Sequence, residues 1–411
     1  MNEIFDVAIV GAGPAGMMAG ISSKTSGNCV CILEKNDQAG KKLLISGKGR
    51  CNVTTSKDIH EIVTAFGENG KFLYGTLSQF SNQDVINFFE SREVPLKEER
   101  GDRMFPVSDK SISILNCLLF ELKKKNVNIF YNFSVKKITK NNSHFKISDG
   151  ENIVIAKKII ITTGGKSYPE TGSTGDGYRF AESFGHNVVR PVPALVPLIV
   201  HSGKLNSLAG LSLKNVELTF TSNGEVFSHE FGEMLFTHKG ISGPIVLKLS
   251  KKVYLELTGG NKVTAKIDLK PKLDETTLRQ RIIREIQTAP KKEYQSLLAT
   301  LLPKLLITYA IYVTKIDKHH QSSTLDKTQI TSLINFLKNF TFEIDGVESI
   351  DNAIVTHGGV DIKEIDRKTM ESKITPGVYF AGEIICLDGP TGGFNMQKAF
   401  STGYVAGKSA S

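Results

Sequence analysis

Phe5–Lys35 reads FDVAIVGAGPAGMMAGISSKTSGNCVCILEK, and this stretch decides the fold. FDVAIV is β-rich, GAGPAG is a glycine turn, PAGMMAGISSKTSG reads as a helix and NCVCILEK as a second strand. In the turn, Gly11 permits the tight bend, Gly13 lets a pyrophosphate approach the backbone, and Gly16 lets helix pack on strand. Pro14 and Ala15 lie between these glycines and join the expected contacts. The helix N-terminus offers free N–H donors and a positive dipole to phosphates. Glu34 ends the second strand, 18 residues after Gly16, where a carboxylate can bind ribose hydroxyls. An acid there disfavours a 2′-phosphate, although Lys35 beside it works the other way. A glycine turn inside some other α/β protein, such as a methyltransferase, is the competing reading of GAGPAG alone. The strand, helix, strand and terminal acid together predict a dinucleotide site.

Further glycine-rich loops say which dinucleotide. LLISGKGRCNVT (Leu43–Thr54) offers the backbone of Gly47 and Gly49 together with Lys48, Arg50, Cys51 and Asn52. ITTGG (Ile161–Gly165) places Thr163, Gly164 and Gly165 at the end of a buried-strand run. VYFAGEIICLDGPTGGFNMQKAFSTGYVAG (Val378–Gly407) repeats the same grammar near the far end of the chain: a strand, Gly382 and Glu383, a loop with Gly392 and Gly393, then a helix from Phe394 and Asn395. A nicotinamide dehydrogenase needs only the first unit and a catalytic domain. A ligand long enough to use both ends of the chain, with a ring at its far end, is FAD. The C-terminal helix then points its N-terminus at the flavin N1–C2=O locus, where reduction places negative charge. An ordinary helix start is the plainer reading of GPTGG. Lys35, Lys42 and Val135 complete the expected cofactor contacts.

Composition sets the outer bounds. At 411 residues the chain allows two or three domains, and its 40% hydrophobic and 23% charged content is that of a globular, soluble protein. No apolar run approaches the roughly 18–20 residues that cross a bilayer. MNEIFDVAIVGAG carries an acid where a signal peptide wants positive charge, which predicts a cytoplasmic protein with no membrane association. Cys29, Cys31, Cys51, Cys117 and Cys386 make no CxxC pair and no metal spacing, so free thiols and no metal are expected. The net charge of +9 raises a nucleic-acid partner, but the basic residues come as scattered pairs such as Lys251–Lys252 and Lys291–Lys292, which argues against one.

Along the chain, Ser81–Glu93 and Ser111–Lys125 have helical apolar spacing, and NIFYNFSVKKIT, HFKISDG and NIVIA suggest a meander. RPVPALVPLIV marks a border near Arg190. LSLKNVELTFTS, EVFSHEF, KVYLEL and KVTAKIDL then read as a mostly β insert, LRQRIIREI to LINFLKNF as helices, and strand-and-turn character returns near Phe342. The expected organisation is residues 1–190 as a first cofactor-binding part, 191–270 as a β-rich insert, 271–341 as a helical insert, and 342–411 as the C-terminal cofactor-binding part.

The set GAGPAG, SGKGRCNVT, TTGGKSYPETGSTGDGY, MLFTHKGISGP and GEIICLDGPTGGFNMQKAFSTG resembles, essentially end to end, the bacterial flavoprotein family of HI0933-like or BaiN-type proteins, which takes in aminoacetone oxidase-like flavoproteins. The resemblance implies an α/β fold with a Rossmann-like, glutathione-reductase-like FAD-binding domain, interrupted by a β-barrel-like domain and a small helical domain. It implies flavin-dependent redox chemistry: oxidation of small amines in some relatives, NAD(P)H-dependent reduction of steroid-type enones in others. Lys48 departs from the pattern, since relatives often carry a small residue there; it either adds positive charge near the flavin or points outward.

With a flavin carrying the hard step, the protein need only place substrate and tune the ring. A second GxGxxG is missing, because GSTGDG (Gly172–Gly177) lacks the spacing, so NAD(P)H is expected as a transient donor without its own domain. Thr237 and His238 in MLFTHKGISGP are candidate catalytic residues, His238 for proton transfer; capping a turn is the plainer role. Tyr168 in GKSYPETG is a candidate phenolic donor, or a packing residue beside Pro169. Arg103 and His357 read first as a loop salt bridge and a turn residue, and Cys51 lacks a partner for redox work. The substrate class is a small molecule, the electron partner NAD(P)H or O2, and the assembly a monomer or homodimer. A flavin-dependent RNA-modifying protein and a non-catalytic FAD-binding sensor are the competing classes.

Overall fold

The computed structural model describes residues 4–141, 143–200, 203 and 205–411. The chain forms two compact units, Met1–Pro193 with Ile350–Ser411, and Ala194–Ser349. Among the described residues no helix is long and apolar enough to cross a membrane.

The first unit is built on a sheet whose centre is the run Ile4–Val10. It pairs in parallel with Val30–Leu33 on one side and Ile153–Ile161 on the other, and Asn128–Phe130 extends the sheet beyond Val30–Leu33. Strands covered on both faces need apolar side chains in both directions, which is why VAIV and VCIL are continuous runs and are buried throughout. Ile153–Ile161 is long enough to take two partners on its outer edge. Its last three residues pair in parallel with Val378–Phe380, and its first four pair antiparallel with His144–Ser148, itself followed by Lys137–Asn141. The stretch NIFYNFSVKKIT is therefore two strands on different parts of the sheet. Asn132, at φ 56, breaks the extended run between them.

The helix Pro14–Ser23 and the C-terminal helix Phe394–Ala410 lie against each other at backbone distance. A Cβ at Gly403 would collide with the Ala15 carbonyl, and one at Gly407 with the Ala19 carbonyl. The small residues of the C-terminal helix thus make room for the first helix, joining the two ends of the sequence.

The second unit is an antiparallel sheet in the order Phe340–Ile344, Val263–Asp268, Ser212–Ser222, Glu225–Thr237, Gly240–Ser242, Leu198–Ile199, Gly346–Val347. The boundaries expected near 271 and 342 fall elsewhere. Phe220 of the sheet and Leu278, Leu297 and Leu333 of the helical stretch belong to one buried cluster, so β-rich and helical segments share a core. Phe340–Ile344 alternates buried and exposed and pairs with Val263–Asp268, which keeps the chain in this unit until Ser349. KVYLEL, expected as a strand, lies inside the helix Pro244–Thr258. The buried residues Ile245, Val246, Leu249, Ser250 and Val253 recur at helical spacing, a period that a six-residue window is too short to reveal. Thr237 closes the strand Glu225–Thr237 opposite Gly240, and His238 is exposed in the turn between them.

Candidate functional site

Four loops leave the carboxyl ends of parallel strands in the first unit: Gly11–Gly16 after Val10, Glu34–Asn36 after Leu33, Thr162–Gly165 after Ile161, and Ala381–Glu383 after Phe380. Ligands of open α/β sheets bind at that edge. Gly11 has φ 103, and a Cβ there would stand 2.8 Å from the Thr162 carbonyl oxygen. Gly16 is pressed against the Gly11 carbonyl. Gly13 is different: its backbone is ordinary extended chain (φ −77, ψ −178), yet a Cβ there would meet nothing within 4 Å. It opens onto space at the start of Pro14–Ser23, a helix with no side-chain cap and no acid in its first turn. Its first N–H groups are left to a ligand.

Glu34 is buried and braces the turn. Its Oε2 accepts the Ala12 N–H at 2.8 Å, and its Oε1 accepts the Asn36 backbone N–H at 2.9 Å and side-chain amide at 2.8 Å. Lys35 turns away to Asp176 at 2.8 Å and Thr174 Oγ1 at 2.6 Å.

Lys42 and Glu383, 341 positions apart, form an ion pair of 2.7 Å with both side chains mostly shielded. Lys42 also donates to Ser167 Oγ at 2.6 Å, and its Nζ stands 5.9 Å from the centre of the Tyr168 ring. Glu383 Oε1 accepts the Thr356 N–H at 2.8 Å and the Ser167 hydroxyl at 3.2 Å. Burial pushes the Glu383 carboxyl up, but the Lys42 ammonium and the Thr356 N–H outweigh it and hold the group below the usual range. Gly165 has no room for a side chain beside Thr356 and Glu383. Thr163 Oγ1 is shielded from solvent with no hydrogen-bond partner among the described residues.

The Gly47–Asn52 loop is held by its own residues. Gly47, Lys48, Gly49 and Cys51 all have positive φ. Arg50 pairs with Glu99 and Asp109 and stacks 4.2 Å from the Phe105 ring centre, so its charge is already committed to protein carboxylates. Asn52, with its amide turned so that both ends are satisfied, donates to the Thr54 and Met104 carbonyls at 2.9 and 3.1 Å and accepts the Gly393 N–H at 3.0 Å. Cys51 is fully buried, and burial pushes its thiol up to about 12. A protonated, inaccessible thiol is a poor nucleophile. In the native protein Cys51 is expected to resist Ellman's reagent at mildly alkaline pH and to react only after denaturation. Mass mapping of the labelled cysteines checks this.

The C-terminal helix begins at Gly393, whose φ of 96 and close approach to the Thr54 backbone demand glycine. No side chain caps this helix and no acid lies in its first turn. The Asn395 side chain closes the Gly389–Asn395 loop: its Oδ1 accepts the Gly389 N–H at 2.9 Å and its Nδ2 donates to the Gly389 carbonyl at 2.7 Å. Just before this loop Asp388 contacts His357 Nδ1. Gly164, Gly382 and Gly392 all take positive φ, Phe394 is buried, and Val135 sits in the unit's core. Tyr168 is half-buried at φ 53, and burial pushes its phenol up.

The structure thus gathers Gly11, Gly13, Gly16 and Glu34 at one strand edge, and Lys42, Thr163, Gly165 and Glu383 around its neighbours. Sequence reading did not single out Ser167, Thr356, Asp388 or Lys398. Only the last carried a signal: a lone charged residue in an otherwise uncharged helical stretch, FNMQKAFSTG. The residues fit an extended dinucleotide on two counts: the open space at Gly13, and two helix N-termini without side-chain caps.

Comparison with known proteins agrees with this architecture. A family model described as HI0933-like protein Rossmann domain matches residues 5–409. A 3-dehydro-bile acid delta(4,6)-reductase of Clostridium scindens is 32% identical over 100% of this chain and 99% of that protein. A ribosomal RNA dihydrouridine synthase of Escherichia coli is 32% identical over 98% of this chain and 97% of that protein. Among solved structures, a flavocytochrome c3 fumarate reductase superposes with TM-score 0.54 at 18% identity, covering 100% of this chain and 78% of that one. A 3-ketosteroid-delta4-(5alpha)-dehydrogenase of Rhodococcus jostii does so with TM-score 0.52 at 14% identity, covering 100% and 97%. At these identities the structural likeness is one of fold.

Proposed function

The chain belongs to the HI0933-like family, and we propose that it is an FAD-dependent oxidoreductase that saturates a carbon–carbon double bond conjugated to a carbonyl group, with NAD(P)H as the electron donor. The observation that carries the cofactor is the set of four loops at one strand edge, with open space in front of Gly13 and an uncapped helix behind it. The Gly11–Gly16 turn and the first N–H groups of Pro14–Ser23 would hold the pyrophosphate, and Glu34 the ribose hydroxyls. Thr163–Gly165 and Glu383 would line the middle of the cofactor, and the first turn of Phe394–Ala410 would face the N1–C2=O edge of the ring. Bound FAD supplies hydride chemistry that no side chain of this protein offers.

The reaction class is supported by what two full-length relatives are named for. A delta(4,6)-reductase of a 3-dehydro-bile acid and a dihydrouridine synthase both add two hydrogens across a double bond conjugated to a carbonyl. The protein must then hold the carbonyl, exclude water and deliver a proton; Thr237, His238 and Tyr168 are the candidates for that proton. The test is a single turnover without oxygen. The flavin-loaded protein is reduced with NADH or NADPH and mixed with a 3-keto-4-ene steroid or with a uridine-containing RNA transcript. Reoxidation matched by a product with two added hydrogens supports the reading. Reduced flavin that neither compound reoxidises overturns it, and oxidation of small amines with peroxide release once air is admitted makes the protein an oxidase instead.

A second reading of the substrate, the uracil ring of an RNA, is favoured by the dihydrouridine synthase relative and by a local excess of positive charge that the lysines taken pair by pair did not bring out. Between Lys239 and Lys292 the chain carries 13 Lys and Arg against five Asp and Glu. RNA binding that weakens steeply with salt, and turnover of the transcript rather than the steroid, would select it.

A further inference from the structure

Lys398 is a buried cation that the proposed function leaves unused. It lies in the second turn of the C-terminal helix and is 2% exposed. Its Nζ donates to the carbonyl of Leu387, in the loop leading into that same helix. Lysine is almost never fully buried without a partner of opposite charge. Here burial pulls the ammonium down to about 8, and Glu383 and Asp388 are the carboxylates that hold it up. Pinning one carbonyl needs only a neutral donor, so the hydrogen bond alone does not explain a charge at this position.

The surrounding charges do explain it. Glu383 answers to Lys42, and Asp388 to His357. The helix holds the backbone on both sides of Asp388, Leu387 through Lys398 and Gly389 through Asn395 of its first turn, so without Lys398 the Asp388 carboxylate would stand at the helix start with no ammonium from the helix beside it. We propose that Lys398 is a charge-tuning residue: its ammonium offsets Glu383 and Asp388 at the start of the C-terminal helix, so that this end of the site accepts the extra negative charge of the reduced cofactor. The inference rests on the FAD reading above. The helix dipole acts in the same direction, and a charge held in a poorly solvated site acts more strongly than one at the surface.

The test uses the flavin-loaded full chain with Lys398→Gln, Lys398→Met and Asp388→Asn. The readouts are the midpoint potential, by dye equilibration, and the affinity for sulfite, an anion that reports positive charge near the ring. Both lysine variants are expected to disfavour the reduced form at least tenfold, a fall of about 30 mV for a two-electron couple. Sulfite should bind at least tenfold more weakly. Asp388→Asn should move both readouts the other way. Glutamine keeps a donor for the Leu387 carbonyl, so a Lys398→Gln protein with wild-type potential and sulfite affinity overturns the inference and leaves a structural pin. Should the lysine variants fail to fold, Asp388→Asn decides: an unchanged or lowered potential overturns it. Wild-type protein that takes up no flavin overturns the cofactor reading, and this inference with it.

Discussion

Gly13→Asp is expected to purify folded and colourless. The backbone at Gly13 is extended, the conformation of an N-cap, and nothing stands within 4 Å of where its Cβ would go. Aspartate is among the preferred N-caps, and the helix behind it has no side-chain cap. The new carboxylate can accept an N–H from the first turn, so the apoprotein should melt at the wild-type temperature or slightly above. The same carboxylate then occupies the donors and the space assigned to the pyrophosphate, and repels it. Flavin affinity should fall at least a hundredfold, about 2.7 kcal/mol. The flavin-to-protein absorbance ratio and a thermal melt of apoprotein check both halves. A variant with stoichiometric flavin would contradict the placement of the phosphates, and an unfolded one the account of the turn.

Lys42→Met is expected to lower stability by about 2 kcal/mol at neutral pH, less than the loss of a fully buried pair because both partners keep some solvent. The effect comes from Glu383, which loses its ammonium and keeps its burial. In the wild type the Glu383 carboxyl titrates below its ordinary value, so its contribution is present above about pH 4.3 and is lost as pH falls through the lowered value. In the variant, burial acts with less opposition and the carboxyl titrates higher, so protonation relieves the strain. The gap between wild type and variant should therefore be widest at neutral pH and narrow towards about pH 4. Denaturant unfolding at both pH values measures it. Lys42→Met/Glu383→Gln should recover part of the loss, since the uncompensated charge has gone. A gap that widens on acidification would refute the pairing as the cause.

The start of the chain announced itself because each glycine of GAGPAG answers a separate steric demand, and those demands are local. The start of the C-terminal helix was legible from the glycine loop before it, but the approach of Gly403 and Gly407 to the first helix was not, because it depends on the backbone of the other end of the chain. What stayed hidden depends on contacts across long sequence separations. Nothing near Lys42 indicates Glu383, and nothing near Asn52 indicates the Gly393 N–H. Arg50 stood among the expected cofactor contacts, and nothing near it indicates the two acids, 49 and 59 positions away, that hold it. In the second unit the helix Pro244–Thr258 was masked because KVYLEL alternates locally, while the burial that fixes its period spans the whole helix. The β-rich and helical stretches looked like separate domains because composition changes at their border, although their apolar faces fill one core.

The most direct test of the central claim is the visible spectrum of the purified protein, recorded after incubation with FAD and removal of the excess. The account predicts a stoichiometric, structured flavin spectrum that bleaches when NADH or NADPH is added without oxygen and returns when a conjugated carbonyl acceptor follows. A folded protein that retains no flavin would contradict it. Bound flavin that neither nucleotide reduces would leave the cofactor site standing and remove NAD(P)H as its donor.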